Sequence, residues 1–285
     1  MTATALDRAY AECQAQARRH YENFPVGSWL LPRALRRPIT VVYAFARRAD
    51  DLADEGDLQP AERLAGLQEL RHLLDGIADG VPQADPLGIA LADTIGRYGL
   101  PLNPFHDLLN AFAQDVTKTR YQNFGELMDY CRRSANPIGR LLLHLQDVTD
   151  VRLLGYSDAI CSALQLINFY QDLHQDYVEN ARIYIPLDEM EGHGVGIEHF
   201  RHRRTDFAMQ RLMQFQYLRA QRLLHSGAPL AKRLGGRFGF ELRLIVLGGE
   251  RVLQHLMRNT QDVFARPRLS PADGLWIFWH ALRGR

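Results

Sequence analysis

Tyr43-Ala-Phe-Ala-Arg47-Arg-Ala-Asp50-Asp51-Leu-Ala-Asp54-Glu55 is the stretch from which the fold can be read. It holds good helix formers and no strand-type alternation. At about 100° per residue, Tyr43, Arg47, Asp50 and Asp54 share one narrow stripe, while Val41, Phe45 and Leu52 lie opposite and are expected in a core. An aromatic ring, a cation and two carboxylates over three turns could be a solvated face with an intrahelical Arg47–Asp50 or Arg47–Asp51 pair. Asp51 and Glu55 form a rival acidic pair at the same spacing, so geometry alone leaves the choice within the cluster open.

A second stretch changes the balance. In Gln165-Leu-Ile-Asn168-Phe-Tyr-Gln-Asp172-Leu-His-Gln-Asp176, oxygen-bearing side chains recur every four residues. Asn168, Asp172 and Asp176 therefore share a helix face with Gln165 beside them, and Leu166, Tyr170 and Leu173 point the other way. Oxygen ligands spaced by single turns suit magnesium, which binds one or two carboxylates, keeps waters and accepts substrate phosphates. Two such helices are expected to grip a diphosphate through metal ions. Such a site ionises a carbon–oxygen bond by neutralising the leaving group, and then shelters a carbocation among apolar and aromatic side chains. Tyr43, Phe24, Phe169 and Tyr130 are candidates for that lining; each taken singly also reads as plain core.

Outward from these stretches, strand and hairpin signals are nearly absent. Pro and Gly punctuate the chain at Pro25, Pro32, Pro38, Pro60, Pro82, Pro86, Pro101, Pro104, Pro137, Gly155, Pro186, Gly192–Gly196, Gly227, Gly235–Gly236 and Pro267. The segments between them predict ten to twelve helices, an all-α class, and one helical-bundle domain over residues 1–285. With 46% hydrophobic and 24% charged residues and a formal net charge of +1, no overall field favours nucleic acid. Three dispersed cysteines, no secretory h-region and no apolar run of about 18 residues predict a reduced, cytoplasmic protein. Gly192-His-Gly194-Val-Gly196 lacks a dinucleotide-loop context and reads as a surface loop. His193, His199 and His202 fit no zinc spacing and read as surface residues. Arg201-His-Arg203-Arg204 and Arg33, Arg36 and Arg37 are either solvated basic faces or a peripheral contact with the inner face of the cytoplasmic membrane.

These motifs resemble the squalene/phytoene synthases, the head-to-head prenyl synthases, from about His20 to about Gln261. The resemblance rests on Tyr43-x-Phe-x-Arg47-x-x-Asp50-Asp51-x-x-Asp54, Asp129-Tyr130-Cys131, Asn168-Phe-x-Gln-Asp172-x-x-x-Asp176 and Ala181-Arg182-Ile-Tyr184-Ile-Pro186. It implies the all-helical isoprenoid synthase fold with both aspartate motifs facing a central cavity. It further implies that Asp50, Asp54, Asn168, Asp172 and Asp176 ligate Mg2+. Arg47, Gln165 and Arg182 would then hold diphosphate or metal-bound water, and Tyr130 and Tyr184 would lie near the reacting carbons or the leaving group.

Within the family, Glu22-Asn23-Phe24-Pro25-Val26-Gly27-Ser28-x-Leu-Leu31-Pro32 and Tyr130-Cys-Arg132-Arg133-Ser134-Ala135-Asn136-Pro137-Ile-Gly139-Arg140 look like the bacterial hydroxysqualene synthases. Those enzymes ionise presqualene diphosphate and let water capture the rearranged cation, on a route to squalene and hopanoids. The family's condensing members carry Ser-(Lys/Arg)-Ser-Phe before the Leu-Leu-Pro; here Tyr21-Glu22-Asn23-Phe24 puts a carboxylate where they have a cation. That change favours an enzyme handling one diphosphate. Ser134 and Asn136 are candidates for placing the capturing water, or else cap or bend a helix at Pro137. His20, beside the altered motif, reads equally as a phosphate contact or a solvated histidine. The alternatives are presqualene diphosphate or phytoene-type condensation of two prenyl diphosphates and, remotely, a non-catalytic lipid-binding or assembly factor. A presqualene diphosphate synthase that hands over the intermediate is a further expected partner.

Overall fold

Proline opens helices in this chain more often than it closes them, because its missing N–H is already an orphan in the first turn. The computed structural model describes residues 4–19 and 32–283. Its helices are α1 (Ala5–Arg19), α2 (Arg33–Asp54), α3 (Pro60–Ala78), α4 (Pro86–Tyr98), α5 (Asn103–Asp115), α6 (Phe124–Ser134), α7 (Asn136–His144), α8 (Val151–Gln171), α9 (Leu173–Asn180), α10 (Leu187–Gly192), α11 (Ile197–Arg201), α12 (Phe207–Gly227), α13 (Pro229–Leu234), α14 (Gly236–Arg258) and α15 (Pro271–Arg283). Among the described residues there is no strand, only an isolated bridge between Arg120 and Ile183, so the all-α class holds. The count exceeds the expected ten to twelve because α10, α11 and α13 are helices of five or six residues, set off by Pro186, Gly196 and Pro229.

One expected break is not a break. Helix α2 runs through Pro38. A proline there leaves the carbonyl of residue 34 without its usual amide donor. The Tyr98 hydroxyl donates to the Ala34 carbonyl at 3.2 Å instead. That donor comes from the end of α4 and is invisible in the local sequence.

The chain contacts divide into two compact units, Met1–Thr117 with Pro137–Leu154, and Lys118–Asn136 with Gly155–Arg285. In the first, α2 packs against α1, α3, α4 and α5. Val41 and Phe45 are fully buried, as their position opposite the acidic stripe requires, and Phe45 meets Phe105 of α5 edge-on at 5.2 Å. Leu52 lies against Gly66 of α3, where a Cβ would come within 2.8 Å of its side chain.

The second unit is organised around α8, whose Ile160, Ala163, Leu166, Ile167 and Tyr170 are buried. Glycines let its neighbours approach. A Cβ on Gly227 of α12 would lie 2.5 Å from the Tyr156 carbonyl oxygen and 3.0 Å from the Ile160 amide nitrogen; one on Gly249 of α14 would lie 2.7 Å from Leu164. Behind α8, the buried Tyr170 hydroxyl donates to Gln216 Oε1 at 3.1 Å, and Gln216 Nε2 donates to Glu189 at 2.7 Å. Arg219 clamps the same carboxylate with two bonds of 2.6 and 2.8 Å, and its guanidinium lies 3.4 Å from the centre of the Phe124 ring. Burial acts to raise the Glu189 carboxyl, but hydrogen bonds from Arg219 and Gln216 outweigh it and leave the group below its ordinary value. The network therefore ties α10 and α12 to the rear of α8.

Two stability predictions follow from this packing. Gly227→Ala should destabilise the protein by about 1–3 kcal/mol, since the new methyl meets backbone rather than a movable side-chain end. A thermal melt followed by circular dichroism should show the drop in Tm, and an unchanged Tm would mean that α8 and α12 are not held at this spacing. Glu189→Gln should cost roughly 2–4 kcal/mol at pH 7 by leaving Arg219 without its anion. The depressed native value makes this stabilisation complete above the unfolded carboxyl value of about 4.3 and lost as pH falls through the lower native one. Urea denaturation should accordingly find the gap between wild type and variant narrowing below about pH 4; a constant gap would refute the linkage.

Candidate active site

On α2, Tyr43, Arg47, Asp50 and Asp54 form the expected stripe, and all four are partly exposed above a buried back face. Arg47 is 15% exposed and organises the acids around it. Its guanidinium reaches Asp50 at 3.4 Å and also pairs with Asp51 and Glu55. The intrahelical pairing that the sequence allowed thus forms, and the rival acids Asp51 and Glu55 share the same cation. Asp50 is the more open of the adjacent pair, at 41% against 29%.

The second stripe departs from a straight helix. Asp172 follows the last residue of α8 and occupies the N-cap position of α9, with φ −102° and ψ 14° and no side-chain capping bond, between two helices that nearly join. The ladder continues across the kink: the Asp172 amide donates to the Asn168 carbonyl at 2.9 Å and the Asp176 amide to the Asp172 carbonyl at 2.8 Å. Gln165, Asn168, Asp172 and Asp176 are partly exposed, whereas Leu166, Tyr170 and Leu173 are buried as predicted. Arg266, which no motif singled out, pairs with both Asp172 oxygens, one at 3.3 Å. Burial raises the Asp172 carboxyl above its ordinary value, and Arg266 offsets only part of that.

Beyond α9 the chain reverses at Ala181, which takes the left-handed conformation at φ 51°. The Arg182 amide then donates back to the Asp176 carbonyl at 2.9 Å, and the Arg182 side chain is buried. The Ile183 amide donates to the Thr119 carbonyl at 3.0 Å and the Leu187 amide to the Tyr121 carbonyl at 2.9 Å. This pairing brings Tyr184 onto a buried aromatic cluster. Its ring stacks on Phe169 with centroids 3.7 Å apart and planes 6° from parallel. Tyr130 lies 5.9 Å from Tyr184 and 6.1 Å from Phe169, and Tyr121 completes the group at 5.6 Å from Tyr184 and 5.5 Å from Tyr130. Tyr130, Phe169 and Tyr184 were identified from the sequence; Tyr121 was not, because its place depends on the pairing of residues 119–122 with 183–188.

Ser134 and Asn136 flank the turn at Ala135, where α6 gives way to α7. The Ser162 hydroxyl of α8 donates to Asn136 Oδ1 at 2.8 Å, which fixes that amide. The Ser134 hydroxyl oxygen is buried and has no hydrogen-bond partner among the described residues. It stands one turn beyond Tyr130, on the same face of α6. His20 and Phe24 lie outside the described residues, as does the altered segment before Pro32 apart from Pro32 itself. The surface reading of His199 is corrected: it is buried, and its Nε2 lies 3.1 Å from Asp206, the cap of α12. Its motif looked merely basic because the capping partner follows seven residues later.

The donor set can be tested against magnesium. Among the described residues no three His, Cys, Asp or Glu side chains converge as a self-contained metal cage. Each stripe instead offers two carboxylates, one of them already facing a guanidinium, and the second adds an amide oxygen. An incomplete oxygen set of this kind is one magnesium accepts when other oxygen ligands supply the remaining positions, so the donors of each stripe fit the ion.

The chain is similar to proteins of known family. A squalene/phytoene synthase family model matches residues 17–273. Hydroxysqualene synthase of Rhodopseudomonas palustris is 35% identical over 254 residues, covering 88% of this chain and 85% of that protein. Phytoene synthase of Mycobacterium tuberculosis is 36% identical over 192 residues, 67% of this chain and 62% of that protein. The crystal structure of squalene synthase HpnC from Alicyclobacillus acidocaldarius matches with a TM-score of 0.84 and 35% identity, over 92% of this chain and 97% of that one. The chain belongs to the squalene/phytoene synthase family.

Proposed function

We propose that this protein is a hydroxysqualene synthase: presqualene diphosphate and water become hydroxysqualene, diphosphate and a proton. The observation that carries this reading is the partly exposed Gln165-Asn168-Asp172-Asp176 stripe running past Phe169, whose ring belongs to the buried cluster of Tyr121, Tyr130 and Tyr184. Polar ligands for a leaving group and aromatic faces for a cation thereby meet on one helix.

In this reading Asp50, Asp54, Asn168, Asp172 and Asp176 hold magnesium, which when bound neutralises the diphosphate charge. Arg47, Gln165 and Arg182 bind and orient the diphosphate, and Asp50, Asp51 and Glu55 keep the Arg47 guanidinium in place beforehand. As the carbon–oxygen bond breaks, its electron pair leaves with the diphosphate. The rings of Tyr130, Phe169 and Tyr184, with Tyr43 and Phe24 as further candidates, stabilise the cyclopropylcarbinyl cation and its rearranged successor. Ser134 places the capturing water: its buried hydroxyl has bonding capacity left over among the described residues, a costly condition unless a ligand uses it. Asn136 braces that turn through Ser162. The hydroxysqualene relative combines 35% identity with alignment over most of both chains, which favours this branch; the 36% identity to a phytoene synthase over two thirds of this chain keeps condensation of two prenyl diphosphates as the second reading.

Product analysis separates the two readings. Presqualene diphosphate with magnesium should give hydroxysqualene whether or not NADPH is present, and farnesyl diphosphate alone should give little condensation. Squalene formed only with NADPH, or no turnover of presqualene diphosphate, would sink the proposal. Asp50→Ala and Asp172→Ala should each lower turnover at least about 10²-fold while circular dichroism stays unchanged; full activity in both would refute the ligand assignment.

A further inference from the structure

Helix α15 turns four large apolar side chains outward at i, i+3, i+4 and i+7: Leu275, Phe278, Trp279 and Leu282, which are 75%, 49%, 52% and 57% exposed. Exposed apolar residues are ordinary when they stand singly, as Val151 and Val178 do; a stripe along one helix face is not. Packing on α14 accounts for the opposite face, where Ala281 is buried and Arg243 donates to its carbonyl at 2.7 Å.

The distribution of charge narrows what covers the stripe. The only carboxylate of α15, Asp273, is buried and turned inward, where it accepts from Ser270, Arg251 and His255. The one charged side chain exposed on α15 is Arg283, whose guanidinium lies 4.2 Å from the centre of the Trp279 ring. Arg268 is exposed just before the helix. Phe278 meets Phe240 of α14 edge-on at 6.0 Å, and the exposed Arg237 stands one turn before that ring. The patch is therefore apolar and tryptophan-bearing with a cationic rim and no exposed acid on its own helix. A protein surface would be expected to need polar complementarity at the rim, whereas an anionic bilayer offers hydrocarbon beneath a negative surface.

The basic clusters noted in the sequence suit this role less well. Arg201 pairs with Glu198, Arg203 with Asp262, Arg204 with Asp206 and Arg37 with Asp7. None of the described helices is long and apolar enough to cross a membrane, so the contact is one of lying on the surface. We propose that α15 is an interfacial helix that docks the protein on an anionic phospholipid bilayer, with Leu275, Phe278, Trp279 and Leu282 entering the headgroup boundary and Arg237, Arg268 and Arg283 meeting lipid phosphates.

Co-sedimentation with phosphatidylglycerol/phosphatidylcholine vesicles tests this directly. The full chain should bind these vesicles, and bind pure phosphatidylcholine more weakly. Leu275→Glu/Leu282→Glu changes two exposed positions and should lower the partition coefficient about tenfold or more. Should that variant lose helix content, quenching by brominated lipid replaces it: wild-type tryptophan emission should be quenched, and less so in Trp279→Phe, which keeps the face apolar. Absence of vesicle binding by the wild type, equal binding by a folded double variant, or quenching unaffected by Trp279→Phe would each overturn the proposal. So would light scattering that finds a wild-type dimer without vesicle binding and a monomeric double variant, because the stripe would then be covered by a second copy.

Discussion

Helix α8 is buried along its back, yet one row of oxygen-bearing side chains stays partly exposed at its front, and the second unit is arranged around that asymmetry. Gly227 lets α12 close on it at a distance where an added methyl would meet backbone, and Gly249 lets α14 approach until a methyl would have to displace side-chain ends. Tyr170 carries a hydroxyl into this dry interior, and an unpaired hydroxyl there costs about 1–3 kcal/mol. Gln216 accepts from it and is itself held by Glu189 and Arg219. Because Tyr170 and Phe169 are consecutive, the rear network and the aromatic cluster fix the same turn of helix.

The kink at Asp172 serves the same end. The two backbone bonds across it survive, so the turn is bent rather than unwound. The bend lets α9 end at Asn180, and Ala181 in the left-handed region turns the chain back within one residue. Alanine there carries the steric strain glycine would avoid, of order 1 kcal/mol. The pairing of residues 183–188 with 119–122 and the Tyr184–Phe169 stack offset it.

Much of this was legible in the sequence where period and burial coincide. Phe45 and Val41 opposite Asp50, and Leu166 and Tyr170 opposite Asp172, follow from 3.6 residues per turn and the insolubility of their side chains. What was not legible depends on partners distant along the chain. Pro38 reads as a break until Tyr98 supplies the donor for Ala34. Arg266 pairs with Asp172 across more than ninety residues. His199 looks like part of a basic surface until Asp206 is seen to hold it, and Tyr121 has no motif of its own. Periodicity reports which face is apolar; it carries no record of which remote group completes a bond.

The two acidic stripes share one electrostatic device. Carboxylates at successive turns repel, and burial of Asp172 makes the repulsion harder to screen. On α2 the relief comes from Arg47, in the same helix; on α8 it comes from Arg266, outside it. Guanidiniums are suited to hold such clusters together because they stay charged and can address two or three acids at once. A guanidinium also binds phosphate oxygens as readily as carboxylates. On the function proposed above, these arginines would turn from carboxylate to phosphate as the acids turned to metal, so that no charge would be left bare.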